Sequence, residues 1–116
     1  MGNDLQNRLF NFAVRALNFL SRLPSTPEFT TIRYQLSKSS TSSGANYEEA
    51  QAGSSKADFT NKVRIALREM RESNYWLRII KAIDENSNDY SELFLLIQES
   101  EELKKILGSI VTKSKT

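Results

Sequence analysis

Arginine side chains recur at regular intervals in the middle of the sequence. Arg64, Arg68, Arg71 and Arg78 lie at positions i, i+4, i+7 and i+14, and Tyr75 occupies the step between the last two. On a helix this spacing forms one ridge about 21 Å long, because each residue advances the axis by ~1.5 Å. Guanidinium groups spaced in this way can contact successive phosphates of a nucleic acid, and a tyrosine among them can stack on a base.

A second ridge near the start of the chain consists of Arg8, Arg15 and Arg22. Both ridges have a plainer explanation, since arginines on a solvated helix often pair with acids, and Arg68 has Glu72 four positions on. Exposed pairs of that kind contribute only ~0–1 kcal/mol. The spacing predicts a nucleic-acid interface, and avidity would multiply its weak contacts if identical subunits repeated it around an axis. The alternative is a protein–protein scaffold in which these arginines form salt bridges.

The residue types that most enzymes use for catalysis are missing. The sequence has no His and no Cys, which excludes imidazole acid–base steps, Ser-His and Cys-His nucleophile pairs, disulfides and Cys/His zinc sites. A carboxylate site built from Glu48, Glu49, Glu69 and Glu72 is conceivable, but adjacent acids usually form a solvated face. We therefore expect a protein that is not an enzyme and that has neither a metal nor a cofactor.

Length and composition indicate a single globular domain spanning residues 1–116, since 39% of the residues are hydrophobic and 26% are charged. A net charge of +2 is too small to imply nucleic-acid binding by itself, so only the placement of the charges can do so. No apolar run approaches the ~18–20 residues that span a bilayer, and the first twenty residues do not resemble a signal peptide. We expect a cytoplasmic protein with no membrane contact.

Helix-breaking residues divide the chain into four segments, and helices are predicted at residues 4–23, 27–53, 56–84 and 89–114. Four helices joined by short loops form an all-α, up-down-up-down four-helix bundle. The serine-rich run at residues 37–44 contains poor helix formers, although the apolar period continues through it. Local reasoning therefore leaves helix and loop equally open in this run.

The first predicted helix is apolar over an arc far wider than the ~100° that a bundle core requires. Phe10, Val14 and Phe19 are among the residues that a single bundle is not expected to cover. This pattern predicts contact with a second copy of the chain. In the third helix, Trp76 lies beside the core stripe, and we expect it to make a core or subunit contact in which its indole N–H finds a partner.

Several segments resemble the bacterial four-helix-bundle proteins that are encoded, in some members, inside intervening sequences of the 23S ribosomal RNA gene. The resemblance covers nearly the whole chain, and the matching segments are SSGANYEEA at 42–50, SKADF at 55–59, ALRE at 66–69, ESNYWL at 72–77, SEEL at 100–103 and ILGSI at 106–110. It implies a homopentameric ring of up-down four-helix bundles with a long second helix through the serine run. Ser43 departs from the family, which usually has Ile or Val there.

The family pattern also singles out Asn46, Glu49, Glu72, Tyr75 and Trp76, which we interpret as polar or assembly contacts within or between subunits. A buried charge must be paired, so Glu49 and Glu72 each predict an Arg or hydroxyl partner. A related group, the accessory proteins of diversity-generating retroelements, binds RNA and reverse transcriptase through a basic pentamer surface, and this is an analogy of fold. The hypothesis is a non-enzymatic homo-oligomer that binds RNA or another nucleic acid through its arginine ridges.

Overall fold

A computed structural model describes residues 4–53 and 55–114, which contain four α-helices and no strand. The helices are α1 (Asp4–Leu20), α2 (Pro27–Ala52), α3 (Lys56–Ile83) and α4 (Ser91–Ser114). Short loops join consecutive helices, so neighbours run antiparallel. α1 packs against α2 and α4, and α3 packs against the same two helices. The all-α four-helix bundle predicted from the sequence is therefore confirmed.

Two helix ends differ from the prediction. α1 ends at Leu20 and not at residue 23, because the N–H groups of Arg22 and Leu23 donate to carbonyls only three residues back, at 3.0 and 3.2 Å. Pro24 follows and disfavours helical geometry in the residue before it. α4 begins at Ser91 and not at residue 89, because Asp89 belongs to a preceding turn of 3-10 helix. The other predicted ends, 53 and 84, are cap residues one position beyond their helices.

The serine-rich run is helical throughout, so the local ambiguity is resolved by tertiary packing. Ser39 and Ser43 are fully buried against α3. The Ser39 hydroxyl lies 2.8 Å from that of Ser73, and the Ser43 hydroxyl donates to the Ala66 carbonyl at 2.8 Å. Because these small side chains let α2 approach α3 closely and satisfy their own hydroxyls, packing outweighs their weak helix propensity.

The apolar surface of α1 is divided between the core and solvent. Phe10, Val14 and Leu17 have exposed fractions of 61%, 41% and 43%, so this face is wider than one bundle covers, as predicted. Phe19 is an exception to that prediction, because it is buried in its own bundle. Its ring packs edge-to-face against Tyr90 with a centroid distance of 5.4 Å. It shares a buried stripe with Leu9, Phe12 and Ala16.

Two helical glycines differ in what an added methyl group would meet. A Cβ on Gly44 would lie 3.3 Å from the Cβ of Leu9, where α1 crosses α2, whereas a Cβ on Gly108 would meet no described atom within 4 Å.

We predict that Gly108→Ala raises the free energy of unfolding by about 0.5–1 kcal/mol, through helix propensity alone. Gly44→Ala should gain less, because Leu9 must shift. Urea denaturation of the two variants measures the difference, and an equal gain at both positions would contradict it.

Candidate nucleic-acid interface

The predicted ridge of α3 lies on the solvent-facing side of the bundle. All five of its members, which we call the α3 ridge, are exposed: Arg64, Arg68, Arg71, Tyr75 and Arg78. The opposite side of the helix is packed into the core through Val63, Ala66, Met70, Leu77 and Ile80. Between residues 59 and 84, every exposed position of α3 is basic or uncharged. The positive charge of the ridge is therefore uninterrupted by an exposed acid of its own helix.

The ridge contains two parallel rows of side chains. Arg64, Arg71 and Arg78 are spaced seven residues apart, and Arg68 and Tyr75 form a second row with the same spacing. Seven residues are nearly two helical turns, so successive members of a row are about 10.5 Å apart along the axis. Such a surface presents donors to an extended polyanion at several points along its length.

Most of the arginine donors of the ridge are not engaged by acids. Within the described chain its only ion pair joins Arg68 Nη2 to Glu69 Oε2 at 3.5 Å, and the Arg68 side chain remains 71% exposed. The expected pair between Arg68 and Glu72 does not form. Glu72 points along the flank of the helix, where its Oε2 accepts a hydrogen bond from Trp76 Nε1 at 3.2 Å. A long exposed pair such as Arg68–Glu69 contributes little, so the ridge stays available to a ligand.

A buried amide anchors one end of the ridge. Asn74 Oδ1 accepts from Arg78 Nε at 2.9 Å and from Lys104 Nζ at 3.5 Å, and its Nδ2 donates to Ser100 Oγ at 2.8 Å. Asn74 and Ser100 are fully buried between α3 and α4. The sequence pattern did not single out Asn74 for this role, although its position four residues before Arg78 was a usable signal.

One acid lies beside this amide. Glu101 forms an ion pair with Lys104 at 3.3 Å. Burial alone would raise the pKa of Glu101, but the hydrogen bond and charge of Lys104, together with Asn74 and Arg78, lower it. Glu101 is therefore ionised at neutral pH, and it forms its ion pair with Lys104 and not with an arginine of the α3 ridge.

Tyr75 is flanked by an aromatic ring and a guanidinium group. Its ring packs edge-to-face against Trp76 at a centroid distance of 5.2 Å, and the guanidinium carbon of Arg78 lies 5.8 Å from its centroid. Trp76 is half-buried and packs against the hydrophobic core, which confirms the predicted core contact. The predicted Arg or hydroxyl partner of Glu72 is wrong, because the partner is the Trp76 indole.

The arginines of α1 face a different set of partners. Arg8 binds Glu99 through two hydrogen bonds of 2.9 and 2.8 Å and reaches Glu102 at 2.6 Å, while Arg15 binds Glu92 at 2.9 and 3.2 Å. The hydrogen bonds that Arg8 donates to Glu99 and Arg15 donates to Glu92 raise the pKa of the two arginines, although partial burial opposes this effect. These two guanidinium groups thus join α1 to α4 as salt bridges, apart from the α3 ridge.

The comparison with known proteins agrees with this fold. The model of a family described as the 23S rRNA-intervening sequence protein matches residues 3–109. The chain belongs to this family. A crystal structure of a protein with unknown function, from the S23 ribosomal protein family of Bacteroides thetaiotaomicron VPI-5482, is 33% identical and aligns with a TM-score of 0.81, over 92% of this chain and 97% of that chain. No curated protein matches the chain significantly.

The remaining residues of interest in this intervening-sequence family member do not join the α3 ridge. Arg22 is exposed beyond the end of α1. Asn46 donates to the carbonyl of Ser42, one turn earlier in α2, at 2.9 Å. Glu49 is exposed, so the buried charge for which a partner was predicted does not exist.

Neither a metal site nor a membrane span emerges from the described residues. No three of their acidic side chains are grouped so that they could hold a metal ion. None of the helices in the described chain combines the length and apolar character needed to traverse a bilayer.

The buried amide gives a direct test of the α3–α4 contact. Ser100→Ala removes the acceptor of Asn74 Nδ2 and leaves a buried N–H unsatisfied, so we predict a loss of about 1–3 kcal/mol in the free energy of unfolding. Ser109→Ala makes the same change at an exposed position of α4 and should alter stability by less than about 0.5 kcal/mol. Urea denaturation of both variants checks the prediction, and similar values for the two would show that the hydrogen bond contributes no stability.

Proposed function

We propose that this protein is a non-enzymatic homo-oligomer, a pentameric ring, that binds RNA or another nucleic acid through the α3 ridge of each subunit. The observation that carries the proposal is the exposed face of α3, where four arginines follow one another with no exposed acid between residues 59 and 84. Phosphate contacts from Arg supply most of the affinity of proteins that bind nucleic acid without reading its sequence.

The chemistry of the ridge favours binding over catalysis. Guanidinium groups stay protonated at any physiological pH, so they hold anions but do not exchange protons with a substrate. The sequence contains no His or Cys that would supply such a group nearby. A planar guanidinium presents several donors at once, and it can therefore hold a phosphate through two hydrogen bonds.

An apolar groove between α1 and α2 supports the proposal that the chain assembles into a ring. It is lined by Phe10, Ala13, Val14 and Leu17 of α1 and by Thr41, Gly44, Ala45 and Glu48 of α2. Contiguous exposed apolar residues of this kind usually mark a protein contact. A second copy of the chain is the occupant that we propose, because the groove carries a single charged residue and a repeated ridge would gain affinity through avidity. A cyclic ring then follows from a head-to-tail interface that closes.

The nucleic-acid proposal predicts a salt-dependent affinity that depends on the ridge. In Arg68→Ala/Arg71→Ala, binding to RNA should weaken. The negative slope of log K against log salt concentration should become shallower by about 0.7–0.9 for each phosphate that the variant no longer binds. Fluorescence anisotropy with labelled RNA at several salt concentrations measures both quantities.

The control is Lys38→Ala/Lys105→Ala, which removes the same charge from exposed positions of α2 and α4. This variant should keep the parental slope. If the salt dependence of log K becomes shallower by the same amount in both double variants, the net charge and not the ridge determines binding. If the parent binds neither single-stranded nor duplex RNA at low salt, the nucleic-acid proposal is wrong, and capture of a specific acidic protein through the same arginines would support the scaffold alternative.

The assembly proposal predicts that polar substitutions in the groove dissociate the oligomer. In native mass spectrometry or sedimentation, the parent assembly should have five times the 13.2 kDa mass of one chain. The Phe10→Gln/Leu17→Gln variant should stay folded but form an assembly of lower mass. Ile83→Gln alters a similarly exposed residue on α3, at 48% exposure, and should leave the oligomer intact. A monomeric parent at micromolar concentration, or a groove variant that keeps the parental mass, would contradict this interface.

A further inference from the structure

Tyr75, the one uncharged member of the α3 ridge, is held from one side by the core. Its ring packs edge-to-face on Trp76, with 75° between the ring planes. Trp76 is itself fixed, because it packs against the hydrophobic core and its indole N–H donates to Glu72. These contacts therefore connect the buried core, through Trp76, to the exposed ring of Tyr75.

A second set of contacts reaches Tyr75 from the α3–α4 seam. Arg78 lies 5.8 Å from the ring centroid, and its Nε is tied to the buried Asn74, which in turn is tied to the buried Ser100. A guanidinium group at this distance from an aromatic ring is attracted to it. Both neighbours of the Tyr75 ring are therefore anchored in the interior of the bundle.

The other exposed tyrosine of the helices shows how unusual this support is. Tyr34 on α2 is 63% exposed, and its ring lies 5.6 Å from the ammonium group of the flexible Lys38 side chain. Tyr75 is 47% exposed, so much of its ring remains accessible although two anchored side chains hold it. An aromatic side chain that is already ordered loses little entropy when a ligand packs on it.

We propose that Tyr75 is a stacking platform for an unpaired base, so that the α3 ridge takes single-stranded nucleic acid in preference to duplex. This inference rests on the proposed function and specifies its ligand. The bases of a duplex are stacked on one another and offer no free face, whereas those of a single strand can splay out onto an aromatic ring or a guanidinium plane. Arg71 and Arg78 flank Tyr75 by about one turn on either side and bind the phosphates next to that base. Glu72, Asn74 and Trp76 are positioning residues.

The experiment compares labelled single-stranded oligouridylate with an RNA duplex of equal length, both by anisotropy at one low salt concentration. Tyr75→Ala should weaken single-strand binding by about tenfold and change duplex binding by less than about twofold. Tyr75→Phe should bind as the parent does, because the aromatic face is kept. Tyr34→Ala is the matched control and should leave both affinities unchanged, with the oligomeric mass of each variant checked in parallel.

Trp76 supplies a second readout, since it is the only tryptophan of the chain and contacts the Tyr75 ring. The Trp76 emission should change when oligouridylate binds to the parent and to Tyr75→Phe. It should not change when oligouridylate binds to Tyr75→Ala. Glu72→Ala removes the acceptor of the indole N–H and should weaken single-strand binding selectively. Glu72→Gln keeps an acceptor oxygen and should restore it, a rescue that a general loss of stability would not produce.

The outcomes separate this inference from the function on which it rests. Equal losses of single-strand and duplex binding in Tyr75→Ala, or no loss of either, would overturn the stacking role while the parent still binds nucleic acid through its arginines. Failure of the parent to bind either RNA at low salt would remove the proposed function itself. Selective loss of single-strand binding, with the tryptophan signal abolished, supports both.

Discussion

The rotation of α3 within the bundle depends on hydrogen bonds between buried side chains. Ser73 meets Ser39 of α2 on one side of the helix, and Asn74 meets Ser100 of α4 on the other. Small residues allow the helices to approach closely, and a buried hydroxyl or amide without its partner would cost about 1–3 kcal/mol. A turn of α3 about its axis would break both pairs together, so these bonds fix which face of the helix meets solvent.

That fixed rotation separates the charges of a nearly neutral chain. The side of α3 opposite the core holds the arginines of the ridge, and the arginines of α1 that could have formed a second basic surface are bound by acids of α4. Arg8 and Arg15 therefore serve the bundle, since they join two helices across a seam with bidentate contacts. A net charge of +2 thus coexists with one basic face, so the net charge alone does not describe the electrostatic field around the molecule.

Local periodicity was sufficient to predict the helices, the exposed ridge of α3 and the excess apolar surface of α1. It was not sufficient where the partner is remote in sequence: Arg8 and Glu99 are 91 residues apart, and no spacing rule connects them. Phe19 was misplaced for a related reason, because the width of an apolar arc does not show which of its members point inward. Local propensity left residues 37–44 open and only the family resemblance implied helix there; the contacts with α3 give the physical reason. The partner of Glu72 was predicted wrongly because an indole N–H can donate to a carboxylate as a cation does.

The proposed contact between subunits and the proposed nucleic-acid interface need different sides of the bundle. The groove between α1 and α2 and the exposed face of α3 are two such sides. α1 packs on α2 and α4, so it lies diagonally across the bundle from α3. The close approach of Leu9 to Gly44 draws α1 against α2 and leaves Phe10 and Leu17 beside a shallow groove. The lining of that groove includes no member of the α3 ridge, so a molecule seated in the groove does not occupy the arginines of the same chain. Because a single exposed contact between an arginine and a phosphate is weak, several ridges at a fixed spacing would be needed for a substantial affinity for one long polyanion.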